Sequence, residues 1–172
     1  MNHPIELSPP DIAPYRNGNT GVDYVHVFDS GQPGPTVMLQ ALTHGNEFCG
    51  ALALKELLES GIRPQAGRLI VAFANVEAFA RFDFDDPDAS RYVDEDYNRV
   101  WGDDVLRGPR DSAELRRARE LRPFVDEADF LGFLWDAEGE LLAVLLGLLE
   151  LGVALLGGGQ GPDLDLGEAE LV

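Results

Sequence analysis

Apolar and polar residues fall in blocks along this chain, and the period differs from block to block. Residues 24–29 and 36–42 are short apolar runs that read as strands. Residues 68–74, Arg68-Leu69-Ile70-Val71-Ala72-Phe73-Ala74, are almost continuously apolar, as in a strand covered on both faces. Between these runs Phe48, Ala51, Leu52, Leu54, Leu57 and Leu58 recur at helical spacing, which predicts a helix over 47–60 ended by Gly61. Ser112 is a good N-cap for a second helix reaching about residue 126, and 129–134 reads as a further strand. The basic residues of that helix, Arg116, Arg117 and Arg119, read as a solvated face. Residues 1–22 are an irregular lead-in, and 30–35 a Gly/Pro turn. Residues 82–111 are a long polar stretch, and a loop of that length in a compact domain is functional or disordered. Strands alternating with helices argue for an α/β fold with some parallel pairing.

The pattern changes near residue 137. From Glu138 to Val172 there is no Lys, Arg, His, Ser, Thr, Asn or aromatic residue. The division is therefore 1–136, one domain, and 137–172, a Leu/Gly/Glu-rich tail. Within the tail, 141–156 is apolar except for Glu150 and glycines. It is shorter than the roughly 20 residues of a bilayer span, so no membrane partner is expected. A buried helix or a homo-oligomer contact is the expectation there. The glycine-rich stretch 157–162 is a breaker, and the acidic end 163–172 is expected to be loose.

Composition excludes one class of partner. The 172 residues carry 31 acidic and 13 basic side chains, a formal charge of −18. Such a chain does not suit a phosphate backbone, so no nucleic acid is expected. An anionic small molecule is still compatible, because a local arginine cluster overrides the net field. The N-terminus lacks the basic and apolar regions of a signal peptide, and one cysteine cannot form an internal disulfide, so a cytoplasmic location is the default. Cys49, with no histidine fixed beside it by sequence, reads as a small buried thiol.

Two segments carry chemistry. His44-Gly45-Asn46-Glu47 stands at the strand-to-helix junction. An imidazole and a carboxylate three residues apart can face one cation, and zinc accepts both donors. The alternative is a solvated loop with Glu47 complementing the positive helix end. The second segment is Ser90-Arg91-Tyr92-Val93-Asp94-Glu95-Asp96-Tyr97-Asn98-Arg99-Val100-Trp101. Its arginines suit a carboxylate through paired hydrogen bonds, with Asn98 as an amide donor. Ion pairing with the neighbouring aspartates is the alternative.

Together, in order and suitably spaced, the two segments resemble the succinylglutamate desuccinylase/aspartoacylase family of zinc carboxypeptidase-like hydrolases. Ala72-Phe73-Ala74-Asn75 resembles the family's strand and following turn, and the resemblance covers about Val22 to Leu131. It implies a mixed, partly parallel sheet flanked by helices, here truncated, with the metal at the carboxyl ends of central strands. It also implies that His44 and Glu47 are zinc ligands, that Arg91 polarises the scissile carbonyl, and that Asn98 and Arg99 hold a substrate carboxylate. The implied reaction is zinc-dependent deacylation of N-acyl amino acids or similar small carboxylates.

One part of the family pattern is missing. The third zinc ligand is a His on the strand after the long helix, and here Trp135 occupies that position. Trp offers only an N–H donor. Asp136 is adjacent, His3 lies in the lead-in, and His26 reads as a core or surface residue. The general-base Glu has no recognisable counterpart, although Glu138, Glu140 and Glu150 lie in the tail. The expectation is weak zinc binding and impaired hydrolysis. The alternative is a non-catalytic relative that binds carboxylates through Arg91, Asn98 and Arg99.

Overall fold

A computed structural model describes residues 8–134 and 155–156. In chain order the elements are β1 (Val25–Asp29), β2 (Thr36–Ala41), α1 (Cys49–Glu59), β3 (Arg63–Pro64), β4 (Arg68–Phe73), α2 (Val76–Phe79), α3 (Asp103–Arg107), α4 (Ala113–Glu127), β5 (Phe130–Leu134) and β6 (Leu155–Leu156). Single 3-10 turns occur at Ala13–Tyr15, Pro87–Ser90 and Tyr97–Arg99. Four strands form one sheet in the order β1-β4-β2-β5, and β3 pairs with β6 in a second, two-stranded sheet. In the main sheet β2 runs parallel to β4 and β5, while β1 is antiparallel to β4. This is the mixed, partly parallel α/β sheet expected from the sequence.

The unbroken apolar runs are explained by helices on both faces. Val37, Leu39, Ala41, Leu69, Val71 and Phe73 point to one side, where Ala51, Leu54 and Leu57 of α1 meet them. Met38, Ile70 and Ala72 point to the other, against Leu115, Ala118 and Leu121 of α4. Strand side chains alternate between faces, so β2 and β4 need apolar residues at nearly every position. Gly50 lets α1 approach closely: a Cβ there would lie 1.8 Å from the Leu134 carbonyl oxygen. No helix among the described residues is long and apolar enough to cross a membrane.

Four expectations are corrected. The first helix begins at Cys49, so Glu47 lies in the turn before it rather than in its first turn. Residues 82–111 are ordered by two 3-10 turns, by α3 and by hydrogen bonds to α4. Cys49 is half-buried rather than buried.

The fourth correction concerns α4. Arg116 is solvated, but Arg117 is only 8% exposed. Arg117 Nε donates to the Ala74 carbonyl at 2.8 Å, and Nη2 donates to those of Phe73 and Asp23 at 2.8 and 2.9 Å. These carbonyls sit at strand ends, where the ladder leaves acceptors unpaired, and a guanidinium supplies several donors at once. Arg119 likewise donates to the carbonyls of Leu106, Gly108 and Arg110. The positions of Trp135 and Asp136 and the tail acids lie outside the described residues, as does the apolar run apart from β6.

Candidate active site

The site is built where β2 ends. Leu42 is fully buried and has φ 60°, a left-handed conformation that is costly for a bulky side chain. Its backbone is held in place from β4: the Ala41 and Leu42 carbonyls accept from Ala74 N and Asn75 N at 2.9 and 2.8 Å. The chain thereby leaves the sheet and delivers His44, itself only 2% exposed, to the strand's carboxyl end. Gly45 follows in a gap that admits no side chain. A Cβ there would lie 2.3 Å from the Ser90 oxygen and 2.4 Å from the Ala78 carbonyl carbon. The Gly45 amide donates to the Arg91 carbonyl at 3.1 Å, and the Glu47 amide closes the turn on His44 at 3.2 Å.

His44 Nδ1 lies 2.6 Å from Glu47 Oε1, while Glu47 Oε2 accepts from the His44 amide at 3.3 Å. On the opposite edge of the ring, His44 Nε2 lies 3.1 Å from Asp96 Oδ1 and 3.2 Å from Arg91 Nη2. Burial disfavours a charged imidazole, but the hydrogen bonds to Glu47 and Asp96 outweigh it and raise the His44 pKa. Arg91 also has a carboxylate partner in Asp96, whose Oδ2 lies 3.5 Å away. Burial works against the charged form of Asp96 as well, yet the bonds from His44 and the Asn98 amide and the nearby positive charges leave its pKa lowered.

The structure thus brings together His44, Glu47 and Arg91. It places Asn98 and Arg99 on the next turn of the same loop, both exposed, with no side-chain hydrogen-bond or ion-pair partner among the described residues. Asp96 N-caps that turn through the Asn98 amide at 2.9 Å. Tyr97 is the loop's buried anchor, set edge-on to Trp101, and burial pushes its pKa up. His26 lies apart from the site, with Nε2 2.9 Å from the Tyr15 carbonyl.

Sequence reasoning missed two residues. Asp96 lay inside the quoted segment without a role. Glu114, at the start of α4, is fully buried. Its Oε1 accepts from Val93 N at 2.6 Å and Asn75 Nδ2 at 3.2 Å, and its Oε2 from Asp94 N and Glu95 N at 3.1 and 3.2 Å. Burial would raise its pKa, but these N–H donors hold it below the usual carboxylate range. In return Asp94 Oδ2 accepts from Ala113 N at 2.8 Å, capping α4.

The location follows from topology. The chain leaves β2 into α1 on one face of the sheet and leaves β4 toward α4 on the other. The carboxyl ends of these adjacent parallel strands flank the crevice where open α/β sheets bind ligands. A groove of about 700 Å³ opens beside it, lined by Arg16, Asp23, Tyr24, Asn75, Glu77 and Arg117 among others. It contains none of the five residues predicted from sequence, and its Arg16 is already paired with Asp23 and its Arg117 with Glu120.

The sequence profile of the succinylglutamate desuccinylase/aspartoacylase catalytic domain matches residues 33–130, more than half of the chain. The chain belongs to the succinylglutamate desuccinylase/aspartoacylase family. Among solved structures, the succinylglutamate desuccinylase from Chromobacterium violaceum is similar at 22% identity and a TM-score of 0.48. The match covers 66% of this chain and 36% of that one, so this chain spans little more than a third of that structure's length. Comparison with curated proteins gives no match.

The desuccinylase/aspartoacylase family is generally zinc-dependent, and the donor set here can be tested against that ion. Nδ1 of His44 and Oε1 of Glu47 already converge. A tetrahedral zinc separates two such donors by about 3.3 Å, so a modest widening admits it. Asp96 bonds the other ring nitrogen, the usual arrangement that orients a metal-bound imidazole. The residues fit as two donors with an orienting carboxylate. Among the described residues no group of three or more His, Cys, Asp or Glu side chains gathers to complete a site.

Proposed function

We propose that this chain carries the metal-facing and carboxylate-facing part of a zinc-dependent deacylase. Its substrates would be N-acyl amino acids or similar small carboxylates, and its activity is impaired. The observation that supports this reading is the meeting of His44, Glu47 and Arg91 at the carboxyl end of β2. His44 and Glu47 would hold the zinc, which supplies Lewis-acid polarisation and an acidified water when bound. With zinc bound, Asp96 would keep the proton on His44 Nε2 and leave the Nδ1 lone pair to the metal. Arg91 lies at the Nε2 edge of the same imidazole, across the ring from the Nδ1 and Glu47 donors, and would have to swing from Asp96 to bind the carbonyl oxygen as charge develops on it. Asn98 and Arg99, exposed one turn on, would take the substrate carboxylate.

Impairment rests on the two donors found among the described residues and on Trp135 standing in sequence where the third ligand is expected, since catalytic zinc usually has three protein ligands. The same observation supports a second reading, a carboxylate-binding relative without turnover. Zinc titration by calorimetry, paired with hydrolysis assays on N-acetyl and N-succinyl amino acids, tests both. Zinc is expected to bind more weakly than micromolar, with slow hydrolysis lost in His44→Ala. Binding of the acyl amino acid without hydrolysis selects the second reading. A submicromolar site abolished by His44→Ala would show that a further residue completes the centre and overturn the impairment. Absence of both binding and hydrolysis would overturn both readings.

A further inference from the structure

We infer that Glu114, together with Asn75, is the positioning residue that sets the Arg91-to-Asp96 loop against the His44–Glu47 turn. As a statement about substrate recognition this rests on the functional reading above; as a statement about the loop's position it does not.

Neither half of the site is fixed by the other alone. The turn is held by β4 through the Asn75 amide on the Leu42 carbonyl. The side chain of the same Asn75 donates to Glu114, and Glu114 gathers the three consecutive amides of Val93, Asp94 and Glu95. Asn75 therefore touches the backbone that leads to His44 and, through one carboxylate, the backbone that leads to Asp96. At Val93–Glu95 the loop's other ties are the Asp94 bond to Ala113 and the ion pair of Glu95 with Arg110. Its direct bonds to the turn come only at its two ends, from the Gly45 amide to the Arg91 carbonyl and from His44 to Arg91 and Asp96.

Chemistry singles out a carboxylate here. Each Glu114 oxygen receives two N–H groups. A glutamine has one acceptor oxygen and an NH2 that would face two donors, so it can satisfy only one pair. A glutamate with four N–H donors is also bound in one orientation, which suits a positioning role better than a single hydrogen bond would. The negative end lies in the first turn of α4, where the helix favours it.

The test is Glu114→Gln in the full chain, read three ways. Amide hydrogen exchange at Val93, Asp94 and Glu95 should accelerate by about tenfold or more, while amides of β2 and β4 keep their protection. The His44 ring resonances, at fixed neutral pH and without metal, should lose the signature of the Nε2 hydrogen bond to Asp96. Affinity for N-acetyl-L-aspartate should fall by about tenfold. Asn75→Ala, which removes one donor of four, should give the same pattern more weakly, and it serves if Glu114→Gln does not fold. Unchanged exchange at the three amides overturns the inference, as does equal acceleration throughout the sheet. Failure of wild-type protein to bind N-acetyl-L-aspartate would count against the functional reading, while the exchange and ring signals still decide the role of Glu114.

Discussion

The two halves of the site are held by opposite means. The His44–Glu47 turn is fixed by exclusion: a left-handed Leu42 locked under β4, a glycine wedged against two backbones, and Phe48 buried behind it. The 91–99 loop is fixed by attraction, with its amides drawn to one buried carboxylate. Close packing resists a methyl group but is indifferent to charge, whereas a polar anchor tolerates shape change but not loss of its acceptor. The same site therefore has one half vulnerable to volume and one vulnerable to protonation.

The comparison can be broken most strongly at Gly45. Gly45→Ala must displace the Ala78 and Ser90 backbones, and it is expected to cost about 3 kcal/mol or more in chemical denaturation. A cost below about 1 kcal/mol would show that the turn is looser than its packing. Arg117→Ala comes next. It strands three strand-end carbonyls beneath the loop and should cost about 2–3 kcal/mol, whereas Arg116→Ala, on an exposed pair, should stay within about 0.5 kcal/mol. Equal effects of the two would contradict the buried role of Arg117.

Acid should sharpen the contrast with the smallest effect. The Glu114 pKa is lowered on folding, so its contribution is fully present above the unfolded glutamate value and is lost as pH falls through the folded one. Below the ordinary glutamate range, exchange protection at Val93, Asp94 and Glu95 should disappear before that of Ala74 and Asn75. Simultaneous loss would mean that the loop has no separate anchor.

Much of this was legible in the chain. β2, β4 and β5 lie within a residue of the runs that predict them, because a strand buried on both faces leaves an uninterrupted apolar signature. Ser112 caps α4 through the Leu115 amide, as its side chain suggests. The His44–Glu47 and Arg91 segments were found because short motifs keep their chemistry in sequence. Arg117 reads as exposed and Glu114 attracts no reading at all, because charge in a helix ordinarily marks a solvated face. Their spacing said otherwise: 114, 117, 118 and 121 fall on one helical face, and Ala118 and Leu121 are core. A charged pair three apart inside an apolar stripe is the signal that was available. What no local pattern could supply was the acceptor inventory across the sheet, the strand-end carbonyls and loop amides that make those charges necessary.

The left-handed Leu42 also matters to anyone transplanting this site. Copying the His-Gly-Asn-Glu tetrapeptide onto the end of another parallel strand would carry the donors but not their aim. The portable unit begins one residue past the strand, at the left-handed residue, and includes the Asn75 amide, two residues beyond the neighbouring strand, that binds the Leu42 carbonyl. A graft without that pair would inherit a strand that simply continues, with its histidine on the wrong face of the recipient.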